Sequence, residues 1–128
     1  MANQRDLARE LIELAQDDRA AAEALLEVGA VSDAIVGFHA QQAVEKALKA
    51  VLASRAADFP FTHNIALLMQ LCEDAGAKLA ASLAEADLLT PYGVALRYGA
   101  RSPGTLDRAA ALALADEALA WAQDLLGL

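Results

Sequence analysis

Apolar residues recur along this chain at helical spacing, and the breaks between the periodic stretches fall where capping and turn residues collect. The first stretch opens at Asn3, an N-cap residue with Asp6 three positions on. It predicts a helix with Leu7, Leu11, Leu14, Ala21, Ala22 and Leu25 turned inward, closed by Gly29. Ser32 or Asp33 caps a second helix running to about Ala56, where Asp58-Phe59-Pro60 breaks the pattern. Two long helices joined by so short a link are expected to lie antiparallel. Thr62 is the expected cap of a third helix carrying Ile65, Leu68, Met69 and Leu71 up to the Asp74-Ala75-Gly76 stop. Ser82 and Glu85 have capping-box spacing and Thr90-Pro91 marks another start, so residues 78–99 read as two short helices or one kinked one. Beyond a loop at Gly99 and Ser102-Pro103-Gly104, Thr105 opens a last helix with Leu112, Leu119, Trp121, Leu125 and Leu126, ending near Gly127. The sum is an all-α, four- or five-helix up-and-down bundle, read as one domain over residues 1–128.

Composition agrees with that pattern. Hydrophobic residues make up 57% of the 128 residues, enough for a core, but roughly a quarter of the chain is alanine. Alanine favours helix while burying little area, so leucines and close backbone approach must supply the packing. The net charge of −8 argues against a chain that coats a nucleic-acid backbone, so RNA is a disfavoured partner. Acids crowd the first helix, whereas residues 39–57 carry Lys46, Lys49 and Arg55 against Glu45 alone, leaving room for a small basic site. The single cysteine, Cys72, sits among Leu68, Met69 and Leu71 and reads as a buried hydrophobe, with no disulfide or multi-cysteine zinc site to form. No leader-like segment precedes the first helix and no apolar run approaches membrane-spanning length. The expectation is a cytoplasmic protein without metal or cofactor.

The richest stretch is Phe38–Ala50. Wound as a helix, it gathers Ala40, Ala43, Val44, Ala47, Leu48 and Val51 on one side, with His39, Gln42, Lys46 and Lys49 on the other. Glu45 borders this stripe, four residues before Lys49, the spacing and order that support an exposed helix face. Gln42, Lys46 and Lys49 suit a phosphate or a base edge, and His39 is placed for a ligand or a proton. The same row is also what any solvated helix face presents. His63, one residue after the expected cap, is set at the positive end of a helix dipole. Arg97 and Arg101 flank Tyr98 as an anion clamp beside a stacking ring.

The run Gln41-Gln42-Ala43-Val44-Glu45-Lys46-Ala47-Leu48-Lys49 resembles the signature helix of the HEPN family, the nucleotide-binding domain shared by higher eukaryotes and prokaryotes. Thr62-His63-Asn64-Ile65 resembles that family's Thr-His-Asp/Asn helix start, and Arg97-Tyr98 its Arg-Tyr pair. The resemblance implies a HEPN-like helical bundle. It implies nucleotide binding, or service as helical companion to a minimal nucleotidyltransferase in a toxin–antitoxin type of module, usually as a homodimer. The ligand-contacting residues would be His39, Gln42, Lys46, Lys49, His63, Arg97, Tyr98 and Arg101.

Ribonucleases of the family carry an Arg-x4-6-His motif, and this chain departs from it: Arg19 stands far ahead of His39, seven residues intervene between Arg55 and His63, and no histidine follows Arg97 or Arg101. The leading expectation is therefore a non-catalytic binding domain. Two alternatives stay open: a ribonuclease toxin whose degenerate centre unites His39 or His63 with Arg97 or Arg101, and a purely structural helical adaptor.

Overall fold

The computed structural model describes residues 3–95 and 105–128. Its helices are α1 (Gln4–Ala24), α2 (Asp33–Ser54), α3 (Ile65–Asp74), a four-residue α4 (Tyr92–Ala95) and α5 (Arg108–Leu126), with 3-10 turns at Ala81–Leu83 and Ala86–Leu89 between α3 and α4. Among the described residues the structure is helical throughout, and no helix is long and apolar enough to cross a membrane.

Local chemistry explains most of the boundaries. The Asn3 side chain accepts the Asp6 N–H at 2.8 Å and starts α1; Ser32 is the N-cap of α2. Gly127, in left-handed geometry with φ +71°, ends α5, and Gly76 at φ +84° follows α3. Four expected boundaries move, the first being the end of α1, which stops at Ala24 with Leu25 as its cap rather than at Gly29. Asn64, rather than Thr62, caps α3 by accepting the Leu67 N–H at 3.1 Å, while Thr62 accepts the Asn64 N–H just before it. Asp107, rather than Thr105, caps α5 through the Ala110 N–H. Ser82 forms no capping box: its hydroxyl donates to Glu117 at 3.0 Å, pinning the 3-10 segment to α5. Thr90 accepts the Ile65 N–H at 3.2 Å and joins the start of α3 to the turn before α4.

Helix α2 is the axle of the bundle, packed by α1, α5, α3 and α4. Val36, Val44, Leu48, Val51 and Leu52 are fully buried, each leucine worth roughly 2–3 kcal/mol of transfer free energy. The inward faces of α1 and α5 are rich in alanine: Ala8, Ala15 and Ala22 with Ile12 on α1, and Ala111, Ala115, Ala118 and Ala122 with Leu119 and Trp121 on α5. This corrects the expected register of α1, where Leu7 and Leu14 are nearly half-exposed and Leu11 is only partly covered. Alanine faces let neighbouring backbones approach α2 closely, which turns the adjoining leucines to the rim. Close approach also explains two glycines: a Cβ on Gly37 would stand 2.3 Å from the Tyr92 ring, and one on Gly93 2.8 Å from the Gln41 amide. Both belong to the contact between α2 and α4.

Candidate functional site

The polar row of α2 is not a solvated face. With neighbours on every side of the helix, Gln41, Gln42, Glu45 and Lys49 are buried. The row splits into two clusters, each built around one carboxylate.

The first lies between α1 and α2. Asp18 receives His39 Nδ1 at 3.0 Å on one oxygen and Lys46 Nζ at 2.5 Å on the other. The three side chains are mostly buried, and Phe38 sets its ring edge-on to His39, 5.5 Å between centroids.

The second lies between α2 and the approach to α3. Glu45 takes Lys49 Nζ at 3.0 Å, His63 Nδ1 at 2.7 Å and Gln41 Nε2 at 3.0 Å. Gln41 also donates to the His63 carbonyl at 3.1 Å, and its own oxygen accepts from Gln42 Nε2 at 2.7 Å. An ionised carboxylate only accepts, so Nδ1 of His63 carries its hydrogen towards Glu45, and the opposite nitrogen, Nε2, is buried without a partner. His63 precedes the α3 cap instead of following it, so it is not in the first helical turn. Over this cluster lie two rings: Lys49 Nζ is 5.9 Å from the centroid of Phe59 and 5.7 Å from that of Phe61, which is 87% exposed. The Phe61 ring also meets His63 edge-on at 5.7 Å.

The expected single row thus becomes two neutralised centres: His39 and Lys46 on Asp18, and Lys49 and His63 directly on Glu45 with Gln42 joined to it through Gln41. Arg97, Tyr98 and Arg101 lie outside the described residues. Asp18, Glu45 as hub, Gln41 and Phe61 were missed as site members. Asp18 stands seven residues after Leu11 and four after Leu14 on the same stripe as Leu7, so a signal existed in the helical spacing. Because Asp18 touches α2's outer residues, that stripe and the polar row share one surface, continued by the cleft that Leu7 lines with Phe59.

Arg108 was also missed. It bonds Asp33 at 2.7 Å and the carbonyls of Leu25, Val28 and Val31, lacing α5 to the turn between α1 and α2. The Arg108 hydrogen bond, with that of the Leu106 N–H, holds the Asp33 carboxyl below its ordinary value. Arg19 bridges α1 to Asp116 on α5, whose hydrogen bond raises the guanidinium's already high pKa. Cys72 is fully buried with Sγ 3.6 Å from the Leu48 carbonyl, and burial pushes its thiol up to about 12. Among the described residues no group of three His, Cys, Asp or Glu is placed to hold a metal.

The HEPN domain family model matches residues 8–125. No curated protein matches the sequence. Among solved structures the chain is similar to TT1696 from Thermus thermophilus, with 31% identity, 94% of this chain and 93% of that one covered, and a TM-score of 0.58. A family match over residues 8–125, nearly the full length, means that this chain belongs to the HEPN domain family.

Proposed function

We propose that this HEPN domain is a non-catalytic docking module whose α1–α2 face receives a protein partner, a minimal nucleotidyltransferase of the kind the family resemblance implies. The observation that carries it is Phe61, a nearly bare ring held over Lys49 at the edge of a charge-neutralised cluster. Large aromatic anchors in apolar surroundings dominate protein interfaces. Leu7 and Leu14 extend the same surface with apolar area, and Phe59 links the two. Phosphate recognition is a poorer fit, because an incoming anion must displace Asp18 from Lys46 or Glu45 from Lys49. The ribonuclease reading is weakened likewise: both histidines are held by carboxylates, and Arg55 is turned to the Ala75 carbonyl at 3.3 Å.

A nucleotide is the second reading, favoured by the Phe61 ring as a stacking platform above His63. The test is calorimetry of the purified chain with a minimal nucleotidyltransferase. Phe61→Asp and Leu14→Asp should each weaken the complex by about 30-fold or more, the range of interface hot spots. Absence of a complex, or one indifferent to both changes, overturns the proposal. Self-association abolished by Phe61→Asp would instead assign this face to a second copy of the chain, the homodimer the resemblance implies.

A further inference from the structure

Helix α3 buries Ile65, Leu68 and Cys72, and a second side of it lines a groove. Ala66, Met69, Gln70 and Glu73 recur there at helical spacing. Leu79, Ala84 and Asp87, from the 3-10 segment and the residues just before it, line the other wall of this cleft of about 240 Å³. Met69 and Leu79 pack partly against the core, so the lining is apolar apart from one amide and two carboxylates. Both walls are held in place: Thr90 accepts the Ile65 N–H, Ser82 donates to Glu117, and Trp121 Nε1 donates to the Lys78 carbonyl at 2.9 Å. Leu88, next to Asp87 in sequence, is 66% exposed, the barest large apolar side chain among the described residues after Phe61. Glu73 and Asp87 are in no ion pair among the described residues. The Gln70 amide is committed to Asp74 at 2.9 Å, which leaves its oxygen as a further acceptor.

We propose that this groove docks a basic amphipathic helix of a partner protein, Met69 and Leu79 receiving its apolar side chains and Glu73 and Asp87 its arginines or lysines. The simplest alternative is an ordinary solvated acidic surface, since the chain has 18 acids against 10 lysines and arginines. Charge is denser here: residues 65–90 hold Glu73, Asp74, Glu85 and Asp87 against Lys78, a net −3 in 26 residues where the whole chain has −8 in 128. Glu117 and Arg55, which reach this side at Ser82 and the Ala75 carbonyl, cancel each other. A solvated surface also leaves the apolar lining unexplained, whereas apolar area rimmed by charge marks an interaction site. The complementary ligand is apolar on one face and cationic beside it, which is a basic amphipathic helix. The span from Ala66 to Glu73 runs about 12 Å, room for about two turns of such a helix. Met69 adapts its shape to the entering side chains, and walls already fixed cost little ordering on binding. The groove shares no residue with the α1–α2 face and stands without that docking reading.

The test is fluorescence anisotropy of a labelled synthetic peptide of about 15 residues, with leucines at i, i+3, i+4 and i+7 and arginines beside them, titrated with the full chain at physiological salt. Binding should saturate below about 1 mM. A Glu73→Lys, Asp87→Lys double variant should lose about tenfold or more in affinity, because each reversal turns an attraction into a repulsion. Glu10→Lys, Glu13→Lys makes the same charge change on exposed positions of α1 and should leave binding within about twofold. Ala66 is exposed, so Ala66→Arg places a cation in the groove without touching the core and should block the peptide by about tenfold or more. A peptide with its leucines replaced by serine should bind at least about tenfold more weakly. Equal urea midpoints would confirm intact folding of the variants. No saturation, equal losses in the groove and α1 double variants, undiminished binding to Ala66→Arg, or equal binding of the serine peptide would each overturn the site.

Discussion

Glu45 offers the sharpest test of how the signature helix is built. Among the described residues two ion pairs share the same i,i+4 spacing in opposite surroundings. Arg19 and Glu23 are 30% and 55% exposed, whereas Lys49 and Glu45 are 11% and 5% exposed. Glu23→Ala removes a surface pair, and such pairs contribute about 0.3–0.5 kcal/mol. Glu45→Ala deletes the common acceptor of Lys49, His63 and Gln41 and leaves a buried ammonium without a counter-charge. Breaking a buried pair from one side costs about 3–5 kcal/mol. That is a large fraction of the roughly 5–15 kcal/mol that holds a typical domain together. A Glu45→Leu, Lys49→Met double variant removes both charges and should regain at least about half the loss. Urea unfolding followed by far-ultraviolet circular dichroism, with m unchanged, measures all four proteins. If Glu45→Ala costs no more than Glu23→Ala, the cluster is not the buried, mutually dependent unit that its geometry describes.

Arg108→Ala should cost about 1–3 kcal/mol, because it strands the Val31 carbonyl and takes the charged partner from Asp33, while the Leu25 and Val28 carbonyls keep the N–H groups of Val28 and Val31; a melting point within about 2 °C of wild type would refute this. The folded Asp33 carboxyl titrates below its ordinary value of 3.8, so its contribution is complete above that pH and is lost as pH falls through the folded value. Acid titration of Arg108→Ala should therefore show a smaller loss of stability below about pH 4 than wild type. Cys72, buried and with its thiol pushed up to about 12, should resist a disulfide reagent at about pH 8 until urea unfolds the chain; prompt reaction of the native protein would count against its burial. Gly37→Ala drives a Cβ to 2.3 Å from the Tyr92 ring and should destabilise by about 1–3 kcal/mol, whereas an unchanged urea midpoint would show that α4 yields without cost.

Cap-type residues made the beginnings of α1 and α2 legible, although only Asn3 makes the capping hydrogen bond and Ser32 stands at its cap position without one. At α3 two cap-type residues compete within three positions, and sequence alone does not rank Thr62 against Asn64 when each can accept a neighbouring N–H. The register of α1 was misread because leucine outweighs alanine in any hydrophobicity pattern. What goes inside here is set instead by how closely α1 can approach α2, and Ala8 and Ala15 permit what Leu7 and Leu14 would block. The apolar side of α2 was clear, but its polar side reads the same whether water or other helices cover it. The decisive facts are long-range: Asp18 is 28 residues from Lys46, and Glu45 is 18 from His63. Arg108 reaches Val31 across 77 residues, a lacing no local pattern announces.

The central claim is that the α1–α2 face, capped by Phe61, is a protein-docking surface over an internally neutralised polar core. Amide hydrogen exchange of the chain, alone and with a minimal nucleotidyltransferase, tests that claim most directly. The account predicts slower exchange on binding in residues 7–18 and 59–63, with the far face of α5 unchanged. Protection confined to α5 or to the 3-10 segment, with Phe61 and its neighbours exchanging as before, would contradict it.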